Sequence, residues 1–230
     1  VSLAELPNAW DKNDGLEKYC RYCLHDSYLT YNLAVKMLPT LIEIVKIIGI
    51  SMYDASRMGF SQLVEWYIMK QAPNFNEIAP NKPGYNEVQR RRMQTYQGAF
   101  VYEPRPGLYK DIVVFDFRSL YPTIIGSHNI CPDMIDCECC RDSAQAINDG
   151  NEKHWFCTKR KGFIPVLIED LITRRMRIKE IIKEESTERF MFLDARQNSL
   201  KLLANSFYGY LGFFGARWYS LESARSVTAW

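Results

Sequence analysis

Three sets of side chains stand where the local pattern calls for something else, and all are types that handle metals or phosphates. The first is Asp116, within Asp111-Ile-Val-Val-Phe-Asp-Phe-Arg-Ser-Leu-Tyr-Pro-Thr-Ile-Ile125. Ile112 to Phe117 reads as a short buried strand rich in β-branched and aromatic residues. Alternation puts Ile112, Val114 and Asp116 on one face and Val113, Phe115 and Phe117 on the other. A carboxylate ending an apolar row needs compensation, from a cation or from a divalent metal. Ser119-Leu-Tyr-Pro122 then turns the chain, and Pro122 suits the first position of a helix from Thr123. Such a helix start offers unpaired N–H groups to an anion. A metal-holding Asp beside it fits a metal-bound polyphosphate. A purely structural Asp is the other reading.

The second and third sets lie on two predicted helices. From Pro165 to Glu185, Ile168, Leu171, Ile172, Ile178 and Ile182 share one sector, and Arg175 and Lys179 fall in its middle. The cations either snorkel or meet an anion on that face; Arg offers a planar fork and Lys a compact charge. From about Phe192 to Tyr208, Leu193, Leu200, Leu203, Ala204 and Phe207 make the apolar face. Lys201, Asn205 and Tyr208 make another, with Asp194 and Asn198 along it. Glu184-Glu-Ser-Thr-Glu188 is the polar tip of this helical hairpin. A looser pair, Tyr22 and Asp26, stands one turn apart on an earlier helix, where a solvated face is the ordinary meaning.

Other elements must hold these groups in place. Asp14 and Glu17 look like a capping box that starts a helix running to about Met37, ended at Leu-Pro39. Its Leu16, Cys20, Cys23, Ala34 and Leu38 form an apolar face. Thr40–Gly49 and Ser61–Lys70 read as further helices, the latter anchored by Leu63, Trp66 and Tyr67. Residues 73–84, rich in Pro and Asn, read as a linker or surface loop, and Gln89-Arg-Arg-Arg-Met93 as a basic run. Val101 to Tyr109 turns through Pro104, Pro106 and Gly107 as a hairpin. His128 suits packing or hydrogen bonding rather than metal ligation, and residues 133–162 read as a polar surface loop.

Composition sets the bounds. The chain has 230 residues, 47% of them hydrophobic, enough for a core. Net charge is only +2, from 29 basic and 27 acidic residues, so a nucleic-acid role has to rest on local clusters. No apolar run is long enough to span a membrane. Seven cysteines without a secretory signal suggest reduced thiols in a cytoplasm. Cys137-Glu-Cys-Cys140 and the later Cys157 leave zinc or a disulfide as alternatives, the latter suiting a hyperthermophile; a structural zinc site usually shows two clean pairs, and here there is one. The start at Val-Ser-Leu-Ala-Glu and the stop at Trp230 read as cut ends.

Asp-Phe-Arg-Ser-Leu-Tyr-Pro resembles the first polymerase motif of family B DNA polymerases in its archaeal form. Lys201-x-x-x-Asn205-Ser-Phe-Tyr-Gly209 is similar to that family's fingers motif. Arg175-x-x-x-Lys179, Tyr96-Gln-Gly-Ala99, Tyr22-x-x-x-Asp26, His128-Asn-Ile-Cys-Pro132, Ala216-Arg-Trp-Tyr219 and Ser223 to Trp230 follow the family in the right order. The resemblance implies an α+β fold: a mixed palm sheet, a helical-hairpin fingers subdomain and the C-terminal helices of a ribonuclease H-like exonuclease domain. The implied division is 1–38 exonuclease end, 39–85 helical linker, 86–164 first part of the palm, 165–212 fingers, and 213–230 return into the palm.

It also implies roles. Asp116 and the Phe117 carbonyl would hold two Mg²⁺ ions, and Ser119, Leu120 and Tyr121 would offer N–H groups to the triphosphate. The Tyr121 ring would lie under the sugar and clash with a 2′-OH. Arg175, Lys179, Lys201 and Asn205 would serve the triphosphate, while Tyr208 and Gly209 would pack on the nascent base pair. Tyr96 and Gly98 would touch the template strand. Asp26 would hold an exonuclease metal and Tyr22 orient its water, although the other exonuclease carboxylates do not occur in this chain. Implied partners are primer–template DNA, deoxynucleoside triphosphates, and a sliding clamp or second polymerase subunit, with no membrane and a cytoplasmic, nucleoid-associated location. The family's Tyr-Gly-Asp-Thr-Asp motif and thumb are also missing, so the chain by itself is expected to be inactive. It is either part of a longer polypeptide or one subunit of a split polymerase. The reading from another class is a non-catalytic nucleic-acid- or subunit-binding module derived from a polymerase.

Overall fold

The computed structural model describes residues 2–94, 98, 101–148, 152–186 and 189–230, without the Leu3 side chain. Its elements are almost all helical. They are α1 (Leu6–Lys12), α2 (Leu16–Ile48), α3 (Met52–Ala55), α4 (Phe60–Gln71), α5 (Tyr85–Arg92), α6 (Leu120–Ser127), the two-residue strands β1 (Ile147–Asn148) and β2 (Lys153–His154), α7 (Phe163–Glu184), α8 (Arg189–Leu211) and α9 (Leu221–Ala229). The one sheet among the described residues pairs β1 with β2 antiparallel, Ile147 opposite His154. A mixed palm sheet is therefore not found among them, and the fold class within this chain is mainly α.

Helix α8 is the hub, packing against α2, α4, α6, α7 and α9. Its apolar sector buries Leu200, Leu203, Ala204, Phe207, Tyr210 and Leu211. Against it α7 turns Ile164, Leu167, Ile168 and Leu171, and α4 turns Leu63, Val64, Tyr67 and Ile68. Trp66 does not join this core and is 45% exposed. Tyr67 meets Phe207 edge-on at 6.3 Å between ring centroids, yet its buried hydroxyl has no hydrogen-bond partner among the described residues. Burial, and then the nearby Asp170, push its pKa up to about 12. An orphaned hydroxyl costs about 1–3 kcal/mol, so Tyr67→Phe is expected to be neutral or stabilising by up to ~1 kcal/mol at pH 7. Because the folded pKa lies above the unfolded value of about 10, stability is lost as pH rises past it. The variant should therefore unfold less steeply between pH 10 and about 12. Chemical denaturation at both pH values measures this, and clear destabilisation at pH 7 would contradict it.

Several expectations need correcting. Residues 112–117 form no strand; Ile112, Val113, Val114, Phe115 and Phe117 are all exposed. A strand needs a neighbour for its N–H and C=O groups, and no described segment pairs with this one. The hairpin expected at 101–109 is likewise open chain. The helix expected to end before Pro39 instead continues to Ile48. Interior proline costs roughly 3 kcal/mol, and the burial of Ile44 and Ile48 beyond it offsets that cost. The helix ends at Gly49, whose φ of 85° lets its N–H reach the Val45 carbonyl at 2.7 Å. At the other end Gly15, not Asp14, is the N-cap, and no side chain caps the helix; Glu17 instead pairs with Arg21 at 2.7 Å.

The apolar face expected on the first half of α2 is not buried. Cys20, Cys23 and Leu38 are exposed, as are Leu29 and Leu33. Periodicity reported a face, but among the described residues α1 packs along that end, with the Tyr19 hydroxyl donating to the Ser2 carbonyl at 3.2 Å. Residues 133–162 are not a mere surface loop either. Met134, Cys140, Ile147, Phe156 and Cys157 are buried, and the segment is knit by Asp136 N–H to the Trp155 carbonyl at 2.8 Å and Cys157 N–H to the Met134 carbonyl at 2.9 Å.

Candidate active site

Asp116, Phe117, Ser119, Leu120 and Tyr121 line an open cleft of about 560 Å³. Lys201, Asn205, Ser206, Tyr208 and Gly209 of α8 line the same cleft, together with Phe60 and Ser61 at the start of α4. The volume lies in the ~300–1,000 Å³ range of small-molecule sites. Segments far apart in sequence meet here because α6 and α8 pack against each other.

The turn before α6 is conformationally unusual. Ser119 occupies the left-handed region at φ 52°, ψ 55°, a costly place for a residue with a side chain. Its carbonyl accepts the Thr123 N–H at 2.9 Å, and Thr123 Oγ1 donates to the Arg118 carbonyl at 2.9 Å. Helix α6 thus begins at Leu120, three residues before the expected Thr123, with Pro122 in its first turn. The N–H groups of Leu120 and Tyr121 lie in the first turn, with no helix carbonyl four residues back, and can face an anion. The Tyr121 ring stacks on Tyr208 at 4.5 Å between centroids, with 30° between planes. This joins the two motifs face to face.

Cations gather near this turn, and the nearby acid Glu180 has its pKa lowered first by its Lys183 partner at 2.6 Å and further by Arg118 and Lys179. Arg175 is half-buried; its Nη1 donates to Ser119 Oγ and its Nε to Gln197 Oε1, each at 3.3 Å. Burial lowers the Arg175 pKa, and the Arg118 guanidinium nearby lowers it further. Arg118 Nη1 lies 3.3 Å from Met176 Sδ, and its charge also helps to lower the Glu180 pKa. Among the described residues Arg118, Arg175, Lys179 and Lys201 form no ion pair. Two mutually repelling guanidiniums, one desolvated, are stabilised by an anion between them. Lys179 stands exposed one turn along α7 from Arg175.

Asp116 is an exposed carboxylate at the mouth of this cleft. A carboxylate beside a main-chain carbonyl is a hard-oxygen donor pair of the kind Mg²⁺ takes. Tyr22 and Asp26 sit apart from it, on the exposed half of α2, where they line a shallow groove with Leu6, Tyr19, Cys23 and Thr30. Tyr96 lies outside the described residues, and Gly98 is exposed. His128 stacks on Trp230 at 3.7 Å, and burial lowers its pKa; it packs, as expected.

Arg118, Gln197, Ser206, Phe60 and Ser61 are site residues that the sequence reading did not pick out. Gln197 had a signal, since it lies four residues before Lys201 and extends the row through Asn205. Arg118 had one in its adjacency to Asp116. Phe60 and Ser61 had none, because their place depends on how α4 packs.

A family model described as DNA polymerase family B matches residues 50–230. The whole chain is 43% identical to a DNA polymerase of Thermococcus gorgonarius and 42% to DNA polymerase 1 of Pyrococcus abyssi, spanning 29% and 30% of their lengths. The structure of the family B DNA polymerase from Pyrobaculum calidifontis superposes with a TM-score of 0.74 at 35% identity, covering 94% of this chain and 28% of that one. With most of the chain matched by that family's model, and its fold by a solved member, the chain belongs to DNA polymerase family B.

Proposed function

We propose that this chain supplies the nucleotide-binding wall and one metal carboxylate of a DNA-directed DNA polymerase. The observation that carries the reading is the single cleft lined by Asp116, Tyr121, Lys201, Asn205 and Tyr208, with Arg175 behind it. A primer 3′-OH would attack the α-phosphate of a deoxynucleoside triphosphate; a P–O bond to the primer forms, the bond to the β-phosphate breaks, and pyrophosphate leaves. Reactions of this type depend on positioning and on charge stabilisation. Arg175, Lys179 and Lys201 would neutralise the triphosphate, and Asn205 and the Leu120 and Tyr121 N–H groups would orient it. Asp116 and the Phe117 carbonyl would hold Mg²⁺, which in two-metal sites stabilises the attacking and leaving oxygens. The Tyr121 ring, braced by Tyr208, would exclude a 2′-OH, and Tyr208 and Gly209 would face the new base pair.

The remaining assignments belong to the same reading. Tyr22 and Asp26 contribute to a 3′–5′ exonuclease site, and Tyr96 and Gly98 to template contact. The stretches 1–38, 39–85, 86–164, 165–212 and 213–230 serve as exonuclease end, linker, palm, fingers and return to the palm. Catalysis requires carboxylates from outside this chain, either in a longer polypeptide or in a second subunit. Its site of action is then DNA in the cytoplasm, and none of the described helices is long and apolar enough to cross a membrane.

Titration with a deoxynucleoside triphosphate and Mg²⁺ tests the proposal. Wild type should bind, and Lys201→Ala should bind about 10- to 100-fold more weakly, the ~1.5–3 kcal/mol of a charge-assisted hydrogen bond. In the same titration Tyr121→Ala should narrow the preference for deoxy- over ribonucleotide. Equal binding by wild type and Lys201→Ala would refute the triphosphate assignment.

A further inference from the structure

The four cysteines of the segment before α7 converge. The sulfurs of Cys137, Cys139, Cys140 and Cys157 all lie within 4.8 Å of one another. Three edges are 3.6 Å (Cys139–Cys140), 3.7 Å (Cys139–Cys157) and 3.8 Å (Cys140–Cys157). An ion bound at ~2.3 Å to four sulfurs in a tetrahedron holds them ~3.8 Å apart. All seven cysteines are unbridged. We propose that Cys137, Cys139, Cys140 and Cys157 bind one structural Zn²⁺ ion, separate from the polymerase metals.

Three further observations support this. Donors already point at the sulfurs: the Thr158 N–H reaches Cys140 Sγ at 3.5 Å, the Arg160 N–H reaches Cys157 Sγ at 3.3 Å, and Thr158 Oγ1 lies 3.4 Å from Cys140 Sγ. Such donors stabilise thiolates and orient ligands. Four thiolates around Zn²⁺ carry a net charge of −2, and Lys159 and Arg160 stand two and three residues after Cys157. The scaffold is fixed from both sides: Trp155 Nε1 donates to the Cys137 carbonyl at 2.9 Å, and Asn129 Nδ2 to the Cys157 carbonyl at 2.7 Å. Sulfurs this close enclose a single ion and leave no room for an iron–sulfur cluster, and tetrahedral sulfur favours zinc.

The role would be structural. Asn129 bridges the Cys157 and Arg160 carbonyls and accepts the Gly162 N–H at 2.8 Å. The ion therefore clamps the approach to α7 onto the chain just beyond α6, whose other end carries Tyr121.

Metal analysis of the untagged chain, grown with zinc, tests this. One zinc per chain is expected in wild type and in Cys20→Ser, and none in Cys139→Ser or Cys157→Ser. Should those variants fail to fold, apo wild type titrated with Co²⁺ should develop thiolate-to-cobalt charge-transfer bands and the visible bands of a tetrahedral site. Chelation should lower its melting temperature. Trace metal with every thiol open to alkylation overturns the site, as does a disulfide found by mass spectrometry. Iron in place of zinc, or zinc retained by both Cys139→Ser and Cys157→Ser, overturns it equally.

Discussion

Asp116→Ala in a polypeptide of the relatives' full length is expected to lower nucleotide addition by at least about 10³-fold while leaving the melting temperature unchanged. The two halves of this expectation rest on different observations. Asp116 is exposed and lines the cleft together with Lys201 and Asn205. In this chain it closes no packing gap, and exposed substitutions away from special features usually shift stability by less than ~0.5 kcal/mol. Its removal takes a charged oxygen donor from the proposed Mg²⁺ site. Losing roughly 4 kcal/mol of transition-state stabilisation corresponds to about a thousandfold. Single-turnover primer extension beside thermal unfolding separates the outcomes. Activity within tenfold of wild type would remove Asp116 from the metal site. A matching fall in melting temperature would show that the carboxylate holds structure instead.

What the residues alone revealed was the part set by local spacing. The row of Lys201, Asn205 and Tyr208 and the cations at Arg175 and Lys179 follow from helical geometry, and α7 and α8 form with those faces as expected. Residues 112–117 show the opposite case. Alternating Ile, Val and Phe set a preference for extended chain, but a strand exists only with a partner, and no described segment supplies one. Pro39 misled because propensity is local, whereas α2 is held on the far side of it by Ile44 and Ile48. The cysteines are free, as expected, but their convergence was not legible, because Cys137, Cys139 and Cys140 show only one clean pair in sequence. The fourth sulfur arrives through the bridge of Ile135 to Phe156, a tertiary fact.

Glu65→Ala should damage the fold severely, at about 3–5 kcal/mol, the cost of breaking a buried charge network. Glu65 lies in α4 and is 9% exposed. Its Oε2 accepts the Tyr210 hydroxyl at 3.2 Å and the Arg217 N–H at 3.0 Å, while Oε1 lies 3.5 Å from Arg217 Nε and 3.9 Å from Lys82 Nζ. One carboxylate thus ties α4 to the end of α8 and to the turn that leads into α9. Alanine would leave the buried Tyr210 hydroxyl without its acceptor and the Arg217 guanidinium, one-fifth exposed, without its counter-charge. At ~2–4 °C per kcal/mol for a chain of this size, the melting temperature should fall by about 10 °C. Glu65→Gln separates the contributions, since its amide oxygen can still accept from Tyr210 but carries no charge for Arg217. It should lose roughly half as much. The Lys201–Asn205–Tyr208 row rides on the same helix as Tyr210, so triphosphate binding should weaken with the fold as temperature rises and be near normal well below the midpoint. A melting temperature unchanged in Glu65→Ala would mean that apolar contacts alone hold α4 against α8.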